Sequence, residues 1–87
     1  MSTGFHLTAE GTAVLQTSGG ATLHTVTFNE VGSGAVVTIY DNDAASGTEI
    51  AIIKPTAVGT LTYDVTLENG LTVVVATAAC DITIGLA

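Results

Sequence analysis

The chain has 87 residues, of which 47% are hydrophobic and 10% are charged, and its eight acidic residues face a single basic residue, Lys54. A chain of this length forms one domain, here expected over residues 1–87, and its hydrophobic content excludes ordinary disorder. Nucleic acids and anionic membranes are held mainly by several lysine or arginine side chains, so a formal charge of -7 argues against both as partners.

Strands are expected along the whole chain, because threonine and valine are abundant and pack well on a pleated surface. Eight short strand-like segments lie between glycine-rich or polar turns. They cover residues 5–9, 12–16, 21–29, 35–41, 48–54, 60–67, 71–77 and 80–86. This spacing predicts an all-β fold, an antiparallel, jelly-roll-like β-sandwich of about eight short strands.

Segment 60–67 alternates polar and apolar residues without interruption, so its apolar side chains from Leu61 to Leu67 are expected to share one face. The turn that follows contains Asn69 and Gly70. Both residue types accept the positive φ that a type I′ turn requires. The sequence therefore predicts a hairpin between segments 60–67 and 71–77.

Three segments, 35–40, 50–53 and 73–76, are apolar on both faces of their predicted strands. A sandwich of this size has one core, which covers only one face of each strand. We therefore expect the second face to meet a partner chain. The residues that carry this prediction are Val36, Ile53 and Val74.

The N-terminal residues 1–9 are expected to form either an arm or the first strand of the sandwich. They lack the basic and apolar regions of a secretory signal, so none is expected. Phe5, His6 and Leu7 are aromatic or apolar and precede the best-defined strands. Because chain ends are ordered only when they dock on something, these three residues are predicted to contact a neighbouring chain.

The loop at residues 41–47 opens like a calcium loop, with Asp41 and Asp43 at alternate positions. Ser46 and Ile52 stand where such a loop needs a glycine and a bidentate glutamate. Two carboxylates leave a calcium ion short of ligands. A polar turn is the favoured interpretation, and an ion at the two aspartates stays open as the alternative.

No arrangement of residues indicates catalysis. His6, His24 and Cys80 are too few for a zinc site within one chain, although a metal shared between chains on a symmetry axis stays open. Cys80 begins an alternating segment and is expected to be a buried structural thiol. The sequence thus predicts a protein that is not an enzyme, with no catalytic, cofactor or metal residues, and the scarcity of aromatic rings argues against a glycan site.

Four motifs carry a resemblance to a known family. They are Tyr-Asp-Asn at residues 40–42, Ala-Ser-Gly at 45–47, Tyr-Asp at 63–64 and Gly-Leu-Thr-Val at 70–73. Over residues 20–86 the chain resembles a family of small virion proteins of tailed phages, similar to capsid decoration, or cement, proteins.

The resemblance implies a structural protein on the outer capsid surface of the virion, made in the host cytoplasm. It implies a jelly-roll-like homotrimer that binds the major capsid protein and has no catalytic residues. Phe5, His6 and Leu7 would then contact the shell or a neighbouring subunit. The alternative is a receptor- or glycan-binding module of a phage fibre or tail.

Overall fold

A computed structural model describes residues 3–87, and these residues form eight β-strands and no helix. The strands are β1 Thr3–Leu7, β2 Gly11–Gln16, β3 Thr22–Glu30, β4 Val36–Asp41, β5 Thr48–Ile53, β6 Gly59–Thr66, β7 Leu71–Ala76 and β8 Asp81–Leu86. Each lies within two residues of its predicted segment at both ends. The alternation and turn spacing were therefore sufficient to locate all eight strands.

The strands form two four-stranded antiparallel sheets. The first sheet has the order β1-β8-β3-β6 and the second has the order β2-β7-β4-β5. The chain thus behaves like one long hairpin that is rolled up, because β1 pairs with β8, β2 with β7, β3 with β6 and β4 with β5. This arrangement is that of a jelly roll, and it confirms the predicted all-β antiparallel sandwich.

The predicted hairpin at Asn69 and Gly70 is wrong. β6 lies in the first sheet and β7 in the second, so the turn between them crosses from one sheet to the other. The side chains of β7 are buried between β2 and β4, and this packing outweighs the local turn preference. Gly70 has a φ of 141°, which is not the value of a type I′ turn, while Asn69 has no positive φ.

The core lies between the two sheets and consists of the inward-facing residues of alternating strands. In β4, buried Val37 and Ile39 alternate with half-buried Val36 and Thr38. The most deeply buried side chains of the core are Leu23, Val26, Val37, Ile39, Leu67, Leu71, Val73, Ile82 and Ile84. Burial of a side chain of this kind contributes about 1.5–3 kcal/mol, so these residues dominate the stability of the domain.

The N-terminal segment contributes a strand to the first sheet. Phe5 lies opposite Ile84 and Leu7 lies opposite Ile82, and both side chains pack against the core. His6 lies opposite Thr83 on the outer face. Met1 and Ser2, the first two residues of the segment predicted as an arm or a first strand, lie outside the described residues.

Candidate interaction surfaces

The outer face of the second sheet is largely aliphatic. The register places Val74 between Thr12 and Thr38, and Thr38 in turn lies opposite Ile52. We call this surface the aliphatic face, and its residues are Thr12, Val14, Val36, Thr38, Tyr40, Ile52 and Val74. Val14 is 47% exposed and Ile52 is 55% exposed. Glu49, which lies opposite Tyr40 on the edge strand β5, borders it.

The outer face of the first sheet is polar and connected by hydrogen bonds. Asn29 Nδ2 donates to Asp81 Oδ1 and to Thr83 Oγ1, both at 3.1 Å. His6 Nε2 lies 2.5 Å from the same oxygen of Asp81. These hydrogen bonds from His6 and Asn29 hold the pKa of the Asp81 carboxyl below its ordinary value. We call this surface the polar face, and it also includes Thr27 and Thr60, whose hydroxyls are 2.9 Å apart.

A second histidine and aspartate pair joins β3 to β6. The ring Nδ1 of His24 forms a hydrogen bond with the Asp64 carboxylate. Asp64 has a φ of 53°, and the register between the two strands shifts at this point. The pairing between the two strands is therefore irregular at Asp64, while the predicted alternation holds, because Leu61 and Val65 both lie opposite buried residues of β3. Burial raises the pKa of the neighbouring Tyr63 hydroxyl.

The loop that resembles a calcium site is held together by its own side chains. Both carboxylate oxygens of Asp41 accept the Glu68 N–H, at 3.0 and 3.1 Å, and Asp41 Oδ1 also accepts the Asn69 N–H at 2.9 Å. Asn42 Nδ2 donates to the Ser46 carbonyl at 2.9 Å. Among residues 3–87, no three His, Cys, Asp or Glu side chains are grouped as metal ligands. The Asn42 contact agrees with the polar-turn interpretation, whereas Asp41 bonds the β6–β7 turn and not the backbone of its own loop.

Cys80 is buried, as the alternation of segment 80–86 predicts. Its Sγ accepts a hydrogen bond from the Gly32 N–H at 3.4 Å. His6 and His24 each bind a different aspartate, on β8 and β6. Within the part of the chain that the structure describes, the thiol and the two imidazoles therefore form no common site.

A groove lies beside the connection between β5 and β6. It has a volume of about 420 Å³. We call it the β5–β6 groove, and its main lining residues are Phe28, Ile53, Lys54, Pro55, Val58 and Leu61. Phe28 is buried, whereas Val58 and Leu61 are exposed. No sequence pattern indicates this groove, because Val58 lies in a turn and Leu61 occupies a core-facing position.

The six residues predicted to make contacts fall in separate places. Val36 and Val74 are diagonal neighbours on the aliphatic face, because Val36 lies opposite Ala76 and Val74 lies opposite Thr38. Ile53 faces inward and lines the β5–β6 groove. Of the three N-terminal residues, Phe5 and Leu7 pack against the core, and His6 lies on the polar face. Of the six residues, only Val36 and Val74 therefore lie together on an outer face. Exposed Val14 and Ile52 lie on the same face.

Comparison with models of protein families, with curated proteins and with solved structures found no match. None of the described residues belongs to a helix that is long and apolar enough to span a membrane.

Proposed function

We propose that this chain is a structural protein of a tailed-phage virion, which decorates the outer capsid surface as a homotrimer bound to the major capsid protein. The observation that carries the proposal is the aliphatic face, a sheet surface whose exposed Val14 and Ile52 stand beside half-buried Val36 and Val74. The phage, the capsid and the number three come from the family resemblance.

The aliphatic face supports a role in assembly because it offers apolar area without a charge at its centre. Each Val or Ile that becomes fully buried contributes about 1.5–3 kcal/mol, so a few residues per chain are enough to drive association. The opposing term is repulsion between chains that each carry a formal charge of -7. Salt screens this repulsion beyond about 8–10 Å, which favours burial at physiological ionic strength.

The polar face, unlike the aliphatic face, suits contact with solvent or with the capsid shell. Its side chains are already bonded to one another, as in the Asn29, Asp81 and Thr83 network. Aromatic rings are not arranged as a glycan-binding platform on the described residues: Phe28 is buried, Phe5 and Tyr63 pack against the core, and Tyr40 is a single ring on the aliphatic face. This arrangement favours the capsid role over the fibre module.

The test is sedimentation of the purified chain with phage capsids that lack it. We expect the chain to sediment with the capsids and to saturate at a fixed ratio to the major capsid protein. Absence of co-sedimentation, together with binding to host cells, would contradict the capsid role and support a receptor-binding module.

The predicted N-terminal contact is tested by a substitution. A deletion of residues 1–9 would also remove β1 and the packing of Phe5 and Leu7 against the core. His6→Ala changes an exposed side chain on the polar face and leaves the core intact. We expect it to weaken capsid binding, whereas Ser33→Ala, at an exposed position of the turn between β3 and β4, leaves binding unchanged. If both variants bind capsids equally well, His6 does not contribute to the contact.

A further inference from the structure

The β5–β6 groove exposes apolar side chains at positions that usually belong to a core. Leu61 lies opposite Val26, which is completely buried, so Leu61 occupies the core-facing side of β6. It is nevertheless 41% exposed, and Val58 beside it is 64% exposed. β6 is the last strand of its sheet, and no further strand within residues 3–87 covers this side.

The groove is also bordered by strand edges. β5 ends the second sheet and β6 ends the first, so each has one edge without a strand partner in the described chain. Such an edge presents N–H and C=O groups that an extended segment can pair with, while its alternate side chains enter adjoining pockets. The groove therefore combines backbone pairing with apolar contact.

Charge distinguishes the groove from the rest of the molecule. Lys54 is the only lysine or arginine of the chain, and it lies in the lining. None of the eight acidic residues is among the described residues of that lining. An acidic protein thus places its one basic side chain beside its most exposed valine, which favours an occupant that carries a carboxylate.

We propose that the β5–β6 groove binds an extended segment of another protein that carries aliphatic side chains next to a carboxylate. The carboxylate pairs with Lys54, the aliphatic side chains cover Val58 and Leu61, and the backbone pairs with the edge of β6. A volume of about 420 Å³ suits a few side chains of an extended segment. The proposal holds whether or not the chain decorates a capsid.

The probe is a fluorescently labelled octapeptide of alternating valine and threonine in which one threonine is replaced by glutamate, and its comparison is the same peptide with lysine in place of the glutamate. Anisotropy titrations with the full chain should show binding of the glutamate peptide alone. Lys54→Gln removes the charge that pairs with the carboxylate of the peptide. Because this ion pair is exposed, we expect binding to weaken by about fivefold. Val58→Asp places a like charge and a polar group in the groove and should weaken binding by about tenfold or more.

Val14→Asp is the matched control, since Val14 is an exposed valine on the aliphatic face, away from the groove. It should leave peptide binding within twofold of the original chain while it impairs capsid co-sedimentation, which separates this proposal from the proposed function. Equal binding of the two peptides, or equal effects of Val58→Asp and Val14→Asp, would overturn the proposal. So would self-association that Val58→Asp abolishes, because a second copy would then occupy the groove.

Discussion

Asp41 is a buried carboxylate that ties the end of β4 to the turn before β7. It accepts backbone N–H groups from Glu68 and Asn69, and next to it the Thr72 hydroxyl donates to the Asn42 carbonyl at 2.9 Å. Every buried side-chain nitrogen and oxygen atom of the described residues has a hydrogen-bond partner. At this scale, polar residues stabilise the connections between the sheets, where strand pairing does not reach.

Asp41→Ala leaves the Glu68 and Asn69 N–H groups without their acceptor. Since a hydrogen bond to a charged group contributes about 1.5–3 kcal/mol, we expect the free energy of unfolding in urea to fall by about that amount. Asp41→Asn keeps one acceptor oxygen and should lose less. Asp43→Ala, an exposed acid in the same loop, is the control and should change stability by less than about 0.5 kcal/mol. Similar losses for Asp41→Ala and Asp43→Ala would contradict the role of Asp41.

Asp81 is expected to make the stability of the fold depend on pH. Its pKa is lowered in the folded state by hydrogen bonds from His6 and Asn29. The ionised carboxylate therefore contributes stability above its unfolded pKa of about 3.9, and this contribution is lost as pH falls through the lower folded pKa. We expect the urea midpoint to fall on acidification below about pH 4. Asp81→Asn should lower the midpoint at pH 6 and make its acid decline shallower, whereas Asp43→Asn should do neither.

At the scale of elements, the connections between sheets depend on close approach of backbones. Gly70 lies where the β6–β7 turn crosses between the sheets, with a φ of 141°. A Cβ atom added there would lie 2.5 Å from the Gln16 carbonyl oxygen. Any side chain at this position would therefore displace the end of β2. A glycine is required here for space as well as for backbone conformation.

Gly70→Ala is expected to lower the free energy of unfolding by about 1–3 kcal/mol, because it adds backbone strain and a steric conflict. Gly20→Ala separates the two causes: Gly20 has a φ of 110°, and nothing lies within 4 Å of an added Cβ. Thermal unfolding of both variants should show the larger loss for Gly70→Ala. A loss that is the same at both positions would mean that the Gln16 carbonyl moves away at no cost.

At the scale of the whole molecule, the sandwich has two outer faces of different chemistry. Polar residues with internal hydrogen bonds cover the first sheet, and aliphatic residues with threonines cover the second. The Cα atoms extend over 33 × 26 × 16 Å, so the domain is a plate with one face suited to burial. A difference of this kind favours assembly in a defined orientation.

The proposed homotrimer predicts a mass of about 26 kDa in light scattering, three times the 8.7 kDa of the chain. Val74→Asp places a charge at the centre of the aliphatic face and should yield the 8.7 kDa species. Thr62→Asp adds the same charge at an exposed position of β6 and should leave the mass unchanged. Because repulsion between acidic chains opposes assembly, the trimer fraction should rise with salt. An 8.7 kDa species for the unaltered chain at micromolar concentration would refute the trimer.

Local sequence patterns are enough to locate the strands and most of the side chains that form the core. Strand alternation has a period of two residues, and a segment such as 80–86 contains that period in full. The buried thiol of Cys80 and the outward positions of Val36 and Val74 follow from the same local pattern. These features were predictable because neighbouring residues determine them.

The pairing of the strands and the surfaces that remain open depend on contacts between distant parts of the chain. His6 and Asp81 are 75 positions apart, and no local pattern indicates that they meet. The β5–β6 groove exists because Leu61, on the core-facing side of its strand, is left uncovered at the edge of the sheet. The Asn69 and Gly70 turn preferred a hairpin locally, but burial of β7 between β2 and β4 prevailed. Pairing between distant strands is a property of the whole core, and for this reason the order of the strands does not follow from any single segment.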